Sequence, residues 1–307
     1  MISRVPSCIV LGGGSFLGTN LCRRLAASGV RVRAFGRRCL FPNDLEGVEW
    51  YQGDFSDALV LAAAIETFEI VFHLVHNSTP QSANLDIPGD FQTVTATLAL
   101  LELSRKLPIK RIVFVSSGGV LYGPAEKIPT PETAPTDPIT AYGVSKLTIE
   151  KYLMLYERLH GLSFGILRVA NAFGPFQTLI KDWGVIAVLI SRAMHGQNIE
   201  IWGDGSVVRD YIFIDDVIDA LVAASTNQSA ERIFNIGSGT GRSLREVIGA
   251  IEAQLGTKLP ITWKPGRPVD VPTSILSIDR ARAQLRWSPK TSFEDGLAKT
   301  IQWWRCR

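Results

Sequence analysis

The chain has 307 residues, 46% hydrophobic and 20% charged, enough apolar side chain for one large core or two, which excludes disorder as its main state. A formal net charge of +3 is too small to mark a nucleic-acid binder or a membrane-surface binder, so the expected partners are small molecules. The longest wholly apolar run, Ala58 to Ile65, falls far short of the ~20 residues a membrane-spanning helix needs. Met1 to Pro6 lack the apolar stretch of a signal peptide, so a cytoplasmic location is expected. Cys8, Cys22, Cys39 and Cys306 show no metal-ligand spacing and read as free thiols. His73 and His76 form an HxxH at the end of an apolar strand without a ligand cluster, so no metal is expected.

In chain order, Ser7 to Leu11 reads as a strand and Phe16 to Ser28 as a helix; Val30 to Phe35 follows as a strand and Ala58 to Thr67 as a helix. Ile70 to Leu74 is a strand, Phe91 to Lys106 a helix and Arg111 to Ser116 a strand. This alternation predicts an α/β fold with a doubly wound parallel sheet, and the strands are continuously apolar because helices cover both faces. After Leu167, Gly174-Pro175, Gly203-Asp204-Gly205 and Pro265 to Pro268 break the pattern into short pieces, where a substrate-binding part is expected. Tyr211 to Ile214 and Arg232 to Ile236 again read as buried strands, so that part is interleaved with the first.

The first strand leads into Gly12-Gly13-Gly14-Ser15-Phe16-Leu17-Gly18 and then a helix, the context in which a glycine-rich loop binds a pyrophosphate. Gly12 permits the tight turn and Gly18 the close approach of helix to strand; the alternative is an ordinary turn. At the end of the second strand NAD would meet an acidic residue on its ribose, but here stand Phe35-Gly36-Arg37-Arg38. Arg37 there favours the 2′-phosphate of NADP, and NAD without the usual acid remains the other reading. Asp54 and Phe55 are placed to hold the adenine edge.

Ser116-Ser117 close the strand that begins at Arg111, and 25 residues beyond Ser117 comes Tyr142, with Lys146 four positions on. Tyr and Lys at i and i+4 share a helix face, so an ammonium sits by a phenol and stabilises its phenolate. Bringing a phenol from pKa ~10 to near 7 is worth roughly 4 kcal/mol, which the Lys146 charge and a nicotinamide ring are expected to supply. Tyr142 then serves as general base or acid while a serine hydroxyl holds the same oxygen.

With Leu167 to Pro175, Gly203-Asp204-Gly205 leading to Arg209 through Asp216, and Arg267 to Pro272, these motifs resemble the extended short-chain dehydrogenase/reductase family. Within it they resemble the NAD-dependent epimerase/dehydratase group that includes UDP-glucose 4-epimerases, over nearly the whole chain. The resemblance implies a doubly wound Rossmann domain over 1–168, with returning strands near 211–240. It also implies an interleaved, smaller C-terminal nucleotide-sugar domain over 169–307. It further implies that Asn171 hydrogen-bonds the substrate diphosphate, that Arg209 and Arg267 neutralise it, and that Asp270 meets the nucleotide ribose. Trp202 matches a position where a ring lies on the uracil, or is a core tryptophan; Arg209 has the alternative of an ion pair with Asp215 or Asp216. The chain departs from the family at Ser15, in place of a glycine, and at Gly36, in place of an acid. Counting back from Tyr122 puts the catalytic Ser/Thr position on Gly118, whereas the spacing to Tyr142 selects Ser117, with Ser116 in reserve.

Family members that eliminate water carry an acid pair where this chain has Gly118-Gly119, so a 4,6-dehydratase lacks its proton shuttles. A nucleotide-sugar 4-epimerase needs only the triad, a bound dinucleotide and space for the sugar to turn. A 4-keto-sugar reductase using NAD(P)H needs the same triad, and a non-catalytic dinucleotide binder has no use for it. Ser274, where hexose-restricted epimerases carry a bulky ring, leaves room for a 2-acetamido group. Leu147, Ile149, Leu153, Leu155 and Tyr156 put apolar side chains on more than one side of the Tyr142 helix, and the resemblance implies a homodimer through it.

Overall fold

The computed structural model describes residues 6–179, 184–266 and 271–307. With strands numbered along the chain, β1 (Cys8–Leu11), β2 (Val32–Gly36), β3 (Glu49–Gln52), β4 (Ile70–His73), β5 (Arg111–Ser117), β6 (Phe164–Val169) and β10 (Ile233–Ile236) form the main sheet. Its order is β10-β6-β5-β4-β1-β2-β3, and these pairings are parallel. β1 shows why such strands are apolar throughout. Cys8 and Val10 enter one core with Leu21 and Leu25, while Ile9 and Leu11 enter another with Leu61, Leu100 and Ile149. Each fully buried aliphatic side chain of this kind contributes about 1.5–3 kcal/mol.

Helices α1 (Phe16–Ala27) and α7 (Ile214–Thr226) cover the first face; α2 (Ala58–Ile65), α4 (Ile87–Ser104) and α5 (Ala141–His160) cover the second, and the short α3 (Pro80–Ala83) leads into α4. α5 starts where Thr140 accepts from the Gly143 amide and stops at Gly161, whose φ of 68° a side chain would resist. Chain order reverses between β1 and β4, which opens a crevice beyond their carboxyl ends.

A second sheet joins β7 (Asn171–Phe173), β9 (Val208–Phe213), β11 (Gly241–Ser243) and β13 (Thr273–Ser274), while β8 (Ile199–Trp202) pairs with β12 (Ile261–Lys264). Helices α6 (Val185–Met194), α8 (Leu244–Leu255) and α9 (Phe293–Arg305) complete the chain. Of the two expected returning strands, Arg232 to Ile236 joins the main sheet as β10. Tyr211 to Ile214 does not: its residues to Phe213 belong to β9 in the second sheet, and Ile214 begins α7. Both runs are apolar because both are covered, and coverage does not say by which sheet. No helix among the described residues is long and apolar enough to cross a membrane.

Candidate active site

Every expected dinucleotide-contacting and catalytic residue from Gly12 to Ser117 lies at or just beyond the carboxyl end of a strand of the main sheet. In the glycine loop, Gly12 has φ 86° and its amide donates to Phe35 O at 2.8 Å, while a Cβ on Gly18 would lie 2.1 Å from Gly12 O. Only glycine fits at 18. Ser15, exposed, caps α1 by accepting from the Gly18 amide at 3.2 Å, so the residue that replaces the family's middle glycine starts the helix. Phe16 and Leu17 form the first turn of α1, whose amides have no acceptor within the helix and face outward with the helix dipole. Gly12 abuts the Leu74-Val75 backbone, which puts the loop at the β1/β4 crevice. A small glycine turn, outward amides and a helix start at the switch point fit the pyrophosphate of a dinucleotide.

Arg37 is exposed just past β2, and Gly36 presents no side chain. Asp54 accepts the Ser56 amide at 2.9 Å and the Ser56 hydroxyl at 2.7 Å, which with lesser help from Arg37 lowers its carboxyl below the usual range. The Phe55 ring is mostly buried and packs against His73, centroids 4.9 Å apart.

Ser116 and Ser117 alternate across β5. Ser116 is buried and its hydroxyl donates to Glu150 Oε1 at 2.6 Å, while Ser117 is half-buried on the other face. Glu150 is held in turn by Arg168, whose Nη2 reaches Oε2 at 2.6 Å and whose Nη1 donates to Tyr122 Oη at 2.9 Å. A Cβ on Gly118 would lie 2.4 Å from Leu276 Cδ1 and 3.2 Å from Arg168 O, so a serine or threonine there would have to displace the Leu276 side chain.

Tyr142 and Lys146 are buried on one face of α5. Lys146 Nζ donates to Val115 O at 2.8 Å, two residues before Ser117, and lies 5.6 Å from the Tyr142 ring centroid. Burial brings Lys146 down to about 7, against the pull of Asp90 and Glu150. The Tyr142 phenol is pushed up by burial and by the Asp90 charge. Burial and the Asp90 charge thus both act against the phenolate in the chain without its dinucleotide. Sequence reasoning treated His76 only as half of an HxxH and did not pick out Asp90. His76 Nε2 donates to Asp90 Oδ1 at 2.7 Å, and its ring meets that of Tyr142 edge to face at 4.3 Å. The position of His76 just past β4, at the crevice, was the available signal; Asp90 approaches only through the packing of α4.

In the second half, Asn171 Nδ2 donates to Asp210 O at 3.1 Å and Arg209 Nη1 donates to Val271 O at 2.7 Å. Asp216 accepts the Lys290 and Thr291 amides. Ser274 pairs in register with Arg209 across β13 and β9. Asp210, unassigned from sequence, is a buried hub that accepts from the Ser238, Gly239 and Leu276 amides. Trp202 is 46% exposed, which removes the core alternative. Arg267 and Asp270 lie outside the described residues.

The model of the NAD dependent epimerase/dehydratase family matches residues 8–237. A UDP-glucose 4-epimerase of Mycolicibacterium smegmatis is 33% identical over 97% of this chain and 98% of its own. A crystal structure of UDP-glucose 4-epimerase from Thermotoga maritima with UDP-glucose superposes with a TM-score of 0.93 at 33% identity, covering 98% of this chain and 99% of that one. The UDP-glucose 4-epimerase of Thermus thermophilus in complex with NAD gives a TM-score of 0.91 at 30% identity, covering 97% and 99%. The chain belongs to the NAD dependent epimerase/dehydratase family.

Proposed function

We propose that the protein is a UDP-sugar 4-epimerase that works with bound NAD, takes a UDP-hexose or UDP-N-acetylhexosamine, and acts as a homodimer. The observation that carries the reading is the Lys146 bond to Val115 O, which sets Tyr142 and Lys146 against the end of β5 where Ser117 stands. Gly118-Gly119 add no acid there, so the acid pair of a water-eliminating relative is missing from that position. Relatives named for UDP-glucose 4-epimerisation, and similar structures holding UDP-glucose or NAD, support the same reading over the reductase and dehydratase alternatives.

The loop from Gly12 to Gly18 and the first turn of α1 would hold the dinucleotide pyrophosphate. When bound, the dinucleotide supplies a hydride acceptor and donor for C4 of the sugar. Tyr142 takes the 4-hydroxyl proton and later returns one, Ser117 donates a hydrogen bond to the same oxygen, and Lys146 orients the phenol. Asn171, Arg209, Arg267 and Asp270 hold the UDP moiety, Trp202 lies against its base, and a keto sugar so tethered turns over without leaving. With Gly36 at the end of β2 and Arg37 exposed beside it, discrimination against NADP is weak.

Val144, Leu155 and Leu159 on α5 and Phe91 on α4 are exposed, whereas Ile149, Leu153 and Tyr156 face the chain's own core. The outer set is the apolar surface a second copy would cover. Mass spectrometry of the dinucleotide released by denaturing the purified protein tests the functional reading. Retained NAD supports the epimerase; an empty site that oxidises added NADPH with a 4-keto sugar favours the reductase.

A further inference from the structure

Ser117 is the last residue of β5, and the chain turns directly after it through Gly118 and Gly119. A Cβ on Gly119 would meet nothing within 4 Å, and two successive glycines leave the backbone there free to move. Both flanks of this segment, Ser116 before it and Tyr122 after it, are tied to one buried ion pair. Ser116 and Arg168 are register partners on β5 and β6, and Glu150 reaches both from α5. Its Oε1 accepts from Ser116 Oγ at 2.6 Å and from Arg168 Nε at 3.1 Å, and its Oε2 accepts from Arg168 Nη2 at 2.6 Å. The remaining guanidinium nitrogen, Nη1, donates to Tyr122 Oη at 2.9 Å, and Arg168 Cζ lies 5.0 Å from the centre of that ring.

Tyr122 is anchored in turn: its hydroxyl donates to Asn235 Oδ1 at 2.6 Å, and Asn235 Nδ2 donates to Thr130 O at 2.9 Å. Ser116, Tyr122, Glu150, Arg168 and Asn235 are all buried. A buried ion pair adds little stability of its own, because apolar side chains of similar volume are often as stable in its place. What a guanidinium fork does supply is direction, since its donors lie in one plane at set angles. Here one fork fixes three elements together. Glu150 shares the buried face of α5 with Tyr142 and Lys146, Ser116 belongs to the catalytic strand, and Tyr122 closes the glycine turn. Pairing with Val169 on β6 holds the strand as far as Ser117; past that residue the clamp limits the turn.

We infer that Glu150, Arg168 and Tyr122 are positioning residues that act through Ser117: they fix both flanks of a glycine turn and so hold its hydroxyl at the oxygen that Tyr142 serves. This rests on the 4-epimerase reading, with Ser117 as the donor. The clamp takes no part in proton or hydride transfer. It acts by geometry, and a displacement of about 1 Å at a reacting group is enough to slow a reaction up to about 100-fold.

Tyr122→Phe keeps the ring beside the guanidinium and removes the hydroxyl. It is expected to lower kcat about tenfold with KM for the UDP-sugar little changed. A double-mutant cycle with Ser117→Ala separates positioning from general damage. If the clamp works through the Ser117 hydroxyl, Tyr122→Phe lowers kcat by less than about twofold once that hydroxyl is gone. An equal loss in both backgrounds marks a structural role and overturns the proposal, as does no loss in the wild-type background. Ser116→Ala frees the other flank, is expected to follow the same pattern, and replaces Tyr122→Phe in the cycle if that variant does not fold. Amide hydrogen exchange of the protein free of ligands reads the clamp without activity. Tyr122→Phe is expected to speed exchange about tenfold or more from Gly118 to Leu121 while Ile112 to Phe114 keep their rates. Unchanged exchange at 118–121, or faster exchange throughout the chain, overturns it. If the wild type epimerises no UDP-sugar, the functional reading fails and exchange still decides whether the clamp holds the turn.

Discussion

Ser116 and Glu150 are joined by a 2.6 Å hydrogen bond beneath β5, and strand alternation puts the neighbouring Ser117 on the opposite face. Two adjacent serines thus have separate tasks. Ser117→Ala is expected to lower kcat by about 10²- to 10³-fold with little change in melting temperature, the cost of one lost donor to the reacting oxygen. Ser116→Ala instead leaves a buried carboxylate short of a donor and is expected to lose about 1–3 kcal/mol of stability. Kinetics and thermal melts of the two variants separate these outcomes, and the reverse pattern reassigns the serine.

An acid at the end of β2 should restore the ordinary ribose contact. An ideal Cβ at Gly36 lies 3.4 Å from the Trp50 ring edge, so Gly36→Asp is accommodated. NADP affinity is expected to drop tenfold or more, about 1.4 kcal/mol, while NAD affinity is kept or improved. Titration of both dinucleotides by fluorescence reads the ratio; an unchanged ratio places the ribose elsewhere.

Ser274 sits opposite Arg209 in the β13 and β9 register, which puts a small side chain beside a guanidinium expected at the substrate diphosphate. Ser274→Tyr is expected to abolish turnover of UDP-N-acetylhexosamine before that of UDP-hexose. Steady-state kinetics on both sugars test this, and an equal loss on both counts against the size argument.

Acid should destabilise the fold through His76. Burial lowers its ring from 6.5 to about 4, so the unfolded chain takes up the proton first as pH falls. The contribution is complete above 6.5 and is lost progressively down to about 4, on the order of a few kcal/mol. Melting temperature is expected to fall steeply across that window in wild type and less steeply in His76→Asn. Parallel curves would assign the acid sensitivity to other groups.

Much of this was legible in the sequence because its signals are local. The glycine loop after β1, the continuous strands and the Tyr142-Lys146 pair each depend on residues a few positions apart. What required the fold depends on which elements meet. Ser116 and Ser117 are equivalent until α5 brings Glu150 under one of them. β9 reads like a central strand because apolar cover looks alike on either sheet. The contact of His76 with Tyr142 and Asp90 joins β4, α4 and α5 and leaves no pattern along the chain.

The central claim is that Tyr142 and its neighbours interconvert C4 epimers of a UDP-sugar with a bound dinucleotide. Proton NMR of UDP-hexose and UDP-N-acetylhexosamine incubated in deuterated water with the protein as purified tests it most directly. The account predicts that the other C4 epimer appears with no deuterium at C4, and that Tyr142→Phe abolishes its formation. Failure to form the epimer from any UDP-sugar, even with NAD added, or full activity in Tyr142→Phe, would contradict it.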